Sequence, residues 1–267
     1  MRTGTIQVDG GTLETAWWGP APTEAPTLVL LHEGLGSVAL WRDVPARLAA
    51  ATGWGVFAYS RFGYGNSDTA TLPRPLTYMQ HEAQTVLPQV LRSAGITRAV
   101  LIGHSDGGSI AAIYAGSAMP SSPADPALLG LVTLSAHFVV EDVNIDSIRA
   151  IRSEYETGTL RRRLARYHRE VDTAFRGWNE AWLDPRFRDF DVTGFLPAIR
   201  VPILALQGEL DPYGTDMQLR IFEANVRAPI ATRLVPGAKH SPHLEAADDT
   251  IAAITDFVTH LPRGTLP

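Results

Sequence analysis

The chain has no cysteine, so disulfides, thiolate metal sites and a cysteine nucleophile are excluded at the outset. Lysine is nearly missing too: Lys239 stands alone against 22 arginines, a bias from which no function follows. No stretch approaches the roughly 18 consecutive apolar residues of a membrane span. Met1 to Gly11 (MRTGTIQVDGG) also lacks the apolar core of a signal peptide, so a cytoplasmic enzyme with no membrane partner is expected. An excess of positive charge is lacking as well. A net charge of −5 gives no basic field for nucleic acid, and a small molecule is the expected partner. What is present is 267 residues, 45% hydrophobic and 19% charged, the balance of one globular unit with a substantial core.

Apolar, β-branched runs alternate with helix-period stretches, which implies a mostly parallel sheet covered on both faces. Thr5 to Val8 and Thr12 to Trp18 read as an antiparallel edge hairpin about Gly10 and Gly11. Strands follow at Thr27 to His32, Val56 to Tyr59, Ala99 to Gly103, Leu129 to Ser135, Ile203 to Leu206 and Thr232 to Val235. Helices are expected over Leu40 to Ala51, Tyr78 to Ala94, Gly108 to Ala118, Met217 to Asn225 and Leu244 to His260. Between about Glu141 and Ala198 the alternation stops and the chain turns helix-forming, rich in Arg and Trp, as an inserted helical lid would be. The division expected is a core of residues 1–141 and 199–267 with a lid of residues 142–198.

Gly103-His104-Ser105-Asp106-Gly107 fits G-x-S-x-G immediately after an apolar strand and before a helix of small residues. Such a sharp strand-to-helix turn lifts a serine oxygen off the sheet, with a helix N-terminus behind it that favours negative charge. A serine hydroxyl is a weak nucleophile and needs an imidazole base, itself oriented by a carboxylate. Strand Ile203 to Leu206 leads into Gln207-Gly208-Glu209-Leu210-Asp211, and the last strand into Pro236-Gly237-Ala238-Lys239-His240. The order Ser105, Asp211, His240 results. Glu141 or Asp142, after an earlier strand, is the rival acid, and His243 the rival base; Pro242 suits the first position of the final helix, which draws His243 into that helix. No H-E-x-x-H occurs and His240 and His243 are the only close histidine pair, so neither a metal nor a cofactor is expected.

Five elements in order carry a resemblance over almost the whole chain: H-x-G-x-G-S at His32 to Ser37, G-x-G-x-S at Gly63 to Ser67, the serine turn, the Asp211 loop and the His240 loop. The chain resembles the α/β-hydrolase fold superfamily, and within it lidded carboxylesterases, acyl-carrier-protein methyl ester esterases, enol-lactonases and meta-cleavage-product hydrolases. The resemblance implies an eight-stranded twisted sheet and a serine hydrolase that forms an acyl-enzyme on a small to medium carboxylic ester. Carbon–carbon bond hydrolysis of a diketone, favoured by arginines in the pocket, and lactone opening are the alternatives; a non-catalytic receptor on the same scaffold is the alternative from another class. An oxyanion hole is implied too, from the backbone N–H groups of Asp106 and, by position, Gly34. The Asp106 side chain should point away from the serine.

Two departures stand out. Glu33 replaces the usual glycine after the loop histidine, and Ser60, followed by Arg61, replaces the usual aspartate after the next strand. An ion pair between Glu33 and Arg61, a solvated Glu33, and a Glu33 that faces the pocket beside Leu35 and disfavours anionic acyl groups are three open readings. In the lid, Leu160, Leu164, Tyr167 and Val171 have helical spacing, with arginines on the remaining positions. From Arg149 to Arg188 ten arginines face six acids. That is ordinarily a solvated face, yet it could draw an anionic substrate or an acidic carrier protein. Of the aromatic set that follows, Trp178 and Trp182 are the residues expected to face the acyl pocket, with Phe187 and Phe190 packing lid against body.

Overall fold

Leu28 and Leu30 of strand β3 (Thr27–Leu31) face one side of the sheet and Val29 and Leu31 the other, all at or near zero exposure, because helices cover both faces. In this computed structural model, which describes residues 1–117 and 125–261, eight strands form one sheet. The others are β1 (Arg2–Val8), β2 (Gly11–Trp18), β4 (Gly55–Tyr59), β5 (Arg98–His104), β6 (Ala127–Leu134), β7 (Ile203–Gly208) and β8 (Ile230–Val235), in the order β1-β2-β4-β3-β5-β6-β7-β8. Only the β1–β2 and β2–β4 pairings are antiparallel, so β1 and β2 form the edge hairpin and six parallel strands send their carboxyl ends to one rim. The rim where such strands end is where open α/β sheets hold their ligands. Helices α1 (Val44–Thr52) and α10 (Ala247–His260) cover one face, and α4 (Asp106–Gly116) and α8 (Met217–Asn225) lie with the other core.

Three helices differ from the sequence pattern. The run Leu40 to Ala51 splits into a 3₁₀ turn, Val38–Trp41, and α1, with Arg42 at φ 54° between them; Pro45 falls in the first turn of α1, the place where its missing N–H costs nothing. Tyr78 to Ala94 is α2 (Tyr78–His81), a π-helical turn over Glu82–Val86, and α3 (Leu87–Ser93). Pro88 accounts for the widened turn, since its ring would strike the carbonyl four residues back in a regular helix. The final helix starts as α9 (Pro242–Glu245), breaks at Ala246 and resumes as α10. The helix after the serine turn is described to Gly116, and Ala118 lies outside the described residues, as do residues 262–267.

Between β6 and β7 the chain runs through α5 (Asp142–Thr157), α6 (Leu160–Leu164), α7 (Val171–Leu183) and 3₁₀ turns at Pro185–Asp189 and Thr193–Ala198. The spacing of Leu160, Leu164 and Val171 does not mark one helix: α6 ends after five residues and α7 starts afresh, yet all three leucine and valine side chains are buried. An isolated bridge pairs Asp191 with Val139, five residues past β6, and the Val192 N–H donates to the Phe138 carbonyl beside it. Among the described residues no helix is long and apolar enough to cross a membrane.

Candidate active site

Ser105 sits between β5 and α4 at φ 52°, ψ −121°, a conformation that is costly for a residue with a Cβ and is held by its surroundings. Its N–H donates to the Leu134 carbonyl, and its own carbonyl accepts from Gly108 and Ser109. The flanking glycines are dictated by contact: a Cβ on Gly103 would lie 2.1 Å from the Gly107 oxygen, and one on Gly107 2.0 Å from the Leu31 oxygen. Asp106 is the first residue of α4, so its N–H has no carbonyl in the helix ladder to serve and is free for another acceptor.

His240, in the loop after β8, lies with Nδ1 2.9 Å from both carboxylate oxygens of Asp211, in the loop after β7. Asp211 is itself fixed by Gln207 Nε2 at 2.6 Å and the Tyr213 N–H at 2.8 Å. Its side chain is fully buried, whereas His240 is 16% exposed. Burial opposes ionisation of Asp211, but the His240 hydrogen bond and charge outweigh it and hold the carboxyl below its usual range. The rival acids are engaged elsewhere: Glu141 accepts from Thr215 and Gln218 and caps α5, and Asp142 pairs with Arg188. His243 is buried in α9 against the rings of Trp41 and His104.

Ser105 and His240 open onto one cavity of about 90 Å³, whose wall also includes Gly34 and Asp106, then Glu33 and Leu35, and from α7 Trp178 and Trp182. Sequence reasoning missed four others on that wall: His137 beyond β6, Asn144 and Ile148 on α5, and Tyr213. The hollow of about 360 Å³ lined by Arg152, Arg161, Asp172 and Arg176 lies apart from Ser105, among α5, α6 and α7. Trp178 packs directly on Gly34, where a Cβ would meet its Nε1 at 2.1 Å. Trp182 Nε1 donates to Asp106 Oδ1 at 3.3 Å and to the Tyr78 hydroxyl at 3.1 Å, while that hydroxyl donates to Asp106 Oδ2 at 2.5 Å. The Asp106 side chain is therefore turned to Tyr78 and Trp182, completely buried, and burial raises its pKa.

Arg61 and Glu33 do not form the ion pair that their adjacent strand ends suggested. The Glu33 carboxylate lies 3.3 Å from His104 Nδ1, and His104 Nε2 donates to the His240 carbonyl at 2.8 Å. Arg61, 1% exposed, instead donates to the carbonyls of His32 (2.8 Å) and Glu33 (3.0 Å) and lies 3.9 Å from Asp106. His32 Nδ1 reaches the same Glu33 carbonyl at 2.7 Å, while its Nε2 accepts from the Arg61 N–H. In a trans peptide the carbonyl and the following N–H point opposite ways, so anchoring the Glu33 oxygen from two sides fixes the direction of the Gly34 N–H. Ser60 bonds a carboxylate after all, but that of Glu14 on β2, at 2.7 Å. His168, also missed, clips this loop from the helical segment: Nδ1 accepts from the Gly65 N–H and Nε2 donates to the Leu35 carbonyl, both at 3.0 Å.

The arginines of residues 149–188 are largely occupied or solvated. Arg161 pairs with Asp172, Arg169 with Asp68 and Arg186 with Asp184, and Arg162, Arg163 and Arg166 are exposed.

A mostly parallel sheet whose central strand delivers a serine in a strained turn is a frame shared by hydrolases of many specificities. The chain belongs to the Alpha/beta hydrolase family, whose sequence pattern matches residues 28–254. No curated protein sequence matches it significantly. Among solved structures it is similar to a proline iminopeptidase of Mycobacterium smegmatis, with 21% identity over 97% of this chain and 98% of that one and a TM-score of 0.73. The enol-lactonase from Burkholderia xenovorans LB400 shares 19% identity over 96% of this chain and 100% of that one, with a TM-score of 0.69. The naproxen esterase (carboxylesterase NP) from Bacillus subtilis shares 19% over 96% and 91%, with a TM-score of 0.70. At such identities the likeness is one of fold.

Proposed function

We propose that the protein is a serine hydrolase that cleaves a small carboxylic ester through an acyl-enzyme. Ser105 attacks the carbonyl carbon and His240 Nε2 takes its proton, while Asp211 holds Nδ1–H and stabilises the imidazolium. The Asp106 and Gly34 N–H groups receive the charge that develops on the carbonyl oxygen. His240 then protonates the leaving alcohol, and water repeats the sequence to release the acid. The observation that carries this reading is a histidine anchored on a buried carboxylate and opening, with a serine of strained backbone, onto one cavity.

Segment 142–198 acts as a lid in this reading, with Trp178 and Trp182 closing the acyl pocket. A cavity of about 90 Å³ is well below the 300–1,000 Å³ or so of sites for drug-sized ligands, so a short acyl group is preferred. Among the described residues the cavity wall has no arginine, which removes the feature that would favour a carboxylated diketone. The first test is the intact mass after brief exposure to a fluorophosphonate, in wild type and in Ser105→Ala. A single adduct on wild type alone is expected, followed by turnover of 4-nitrophenyl esters that falls with acyl length. No adduct on either protein would overturn the serine-hydrolase reading in favour of a ligand receptor.

A further inference from the structure

One side chain on the cavity wall has no part in the steps above. His137 follows β6 after Ser135, a residue at φ 50°, and its ring is wedged in place. A Cβ on Gly214 would come 3.2 Å from its Cε1, Trp182 meets it edge to face at 5.4 Å, and the His240 ring lies nearly parallel at 5.8 Å. Its tautomer is set by backbone groups whose roles are unambiguous. The Glu141 N–H donates to Asn144 Oδ1, so the Asn144 amino group is the end that faces the Tyr213 carbonyl and His137 Nδ1, the latter at 3.4 Å. Facing a donor, Nδ1 is an acceptor and the proton resides on Nε2. Burial and the neighbouring His240 hold the pKa of His137 down at about 3, with His104 adding to the effect and Asp211 opposing it, so the ring is a neutral donor at any working pH.

His32, His104 and His168 each spend both ring nitrogens on protein partners. His137 spends one: among the described residues its Nε2–H has no hydrogen-bond partner, although the residue is 3% exposed and borders the cavity. The nitrogen therefore opens into the cavity rather than into the sealed core, and a substrate that displaces water there without offering an acceptor leaves the donor unpaired, so the site discriminates in favour of a ligand that supplies one. We infer that His137 is a specificity-determining residue whose Nε2–H hydrogen-bonds an oxygen of the substrate other than those of the scissile ester. The substrate class is thereby narrowed from alkyl esters to esters bearing an ether, hydroxyl or carbonyl oxygen near the scissile carbonyl. The inference rests on the hydrolase reading above.

Two isosteric ester pairs test it, each exchanging one methylene for oxygen: 4-nitrophenyl butyrate with 4-nitrophenyl methoxyacetate, and butyl acetate with 2-methoxyethyl acetate. The ratio of kcat/KM for the oxygen-containing to the alkyl ester is compared across wild type, His137→Phe and His137→Gln, so that differences of intrinsic reactivity cancel. In at least one pair the ratio should fall about five- to tenfold in His137→Phe and be partly restored in His137→Gln, whose amide still donates. Ratios unchanged within about twofold in both pairs would overturn the inference, the result expected if the donor merely rests on the Trp182 ring. A long-range ¹H–¹⁵N spectrum of the wild type, which needs no variant, should show the Nε2–H tautomer of His137; an Nδ1–H tautomer would overturn the inference even if His137→Phe did not fold. Failure of wild type to turn over any of the four esters, with no fluorophosphonate adduct on Ser105, would instead sink the hydrolase reading and this inference with it.

Discussion

Replacing Glu33 with glutamine keeps the shape of the side chain and removes its charge, which isolates the pair it forms with His104. Burial disfavours a charged His104, but the hydrogen bond and charge of Glu33 outweigh it and raise the pKa above the usual histidine value. Burial likewise opposes ionisation of Glu33, yet His104 holds that carboxyl well below the ordinary range. A histidine whose pKa rises on folding contributes stability below its unfolded value of 6.5 and loses it as pH climbs through the folded value. A carboxyl whose pKa falls on folding contributes above its unfolded value of 4.5 and loses that as pH drops through the folded one. The pair is therefore fully effective between these two unfolded values. Deleting one partner of a buried pair costs about 3–5 kcal/mol when the other charge is trapped. Here His104 can shed its proton and the Glu33 side chain is 28% exposed, so about 1–2 kcal/mol is expected, or a Tm lower by about 2–8 °C in a chain of this size. Thermal unfolding followed by circular dichroism at about pH 6 and about pH 9 reads the difference. The gap between wild type and Glu33→Gln should be widest at the lower pH and close as wild-type His104 loses its proton. A gap of equal size at both pH values would refute an ionic pair, and no gap at either would mean that Glu33 is simply solvated.

Asp211→Asn should lower kcat toward 4-nitrophenyl acetate by about 10³- to 10⁴-fold with little change in KM, because the amide can hold His240 in the wrong tautomer; a loss under about tenfold would transfer the role to another acid. Arg61→Lys replaces the guanidinium fork, whose two nitrogens serve the carbonyls of His32 and Glu33 separately, with one ammonium on a different stem. With the Gly34 N–H no longer aimed, kcat should fall about 10- to 100-fold in steady-state assays, and an unchanged kcat would show that this peptide is held without Arg61. Gly34→Ala drives a methyl into the Trp178 indole, so the variant should lose about 1–3 kcal/mol in denaturant unfolding and shift its tryptophan emission.

The strand positions along the chain, the serine turn and the pairing of Asp211 with His240 were legible because residue type and pattern mark each of them. Only glycine can stand where another backbone passes within 2.1 Å, and an imidazole that is to act as base to a serine needs a carboxylate to orient it. Partner choice among polar residues was not legible. That β3 and β4 end side by side says that Glu33 and Arg61 are neighbours, but it does not say that Arg61 meets backbone carbonyls, or that β2, running the other way beside β4, brings Glu14 to Ser60. His137 left a usable signal, its place just beyond the carboxyl end of a parallel strand, where Ser105, Asp211 and His240 also stand. His168 left none: a lone histidine in an arginine-rich helical stretch reads as surface until Gly65 and Leu35 are seen on either side of it.

Asp106 shows how closely the serine turn and the helical segment are joined. Its N–H begins α4 beside Ser105, while its carboxylate takes hydrogen bonds from Tyr78 and from Trp182 of α7 and lies near Arg61, which in turn grips the carbonyl preceding Gly34. The two proposed oxyanion donors thus share a buried network with the Trp182 indole on the cavity wall. Lifting α7 would take the Trp182 donor from a carboxylate that has no access to water, at a cost of about 1–3 kcal/mol for the group left unsatisfied. Withdrawal of Trp178 would leave Asp106 untouched, since that indole rests on Gly34 and makes no hydrogen bond to the serine turn. In the hydrolase reading, moving the Trp178 side chain aside is therefore a less costly route to Ser105 than lifting α7, and substrate length should be limited by Trp178 before it is limited by Trp182.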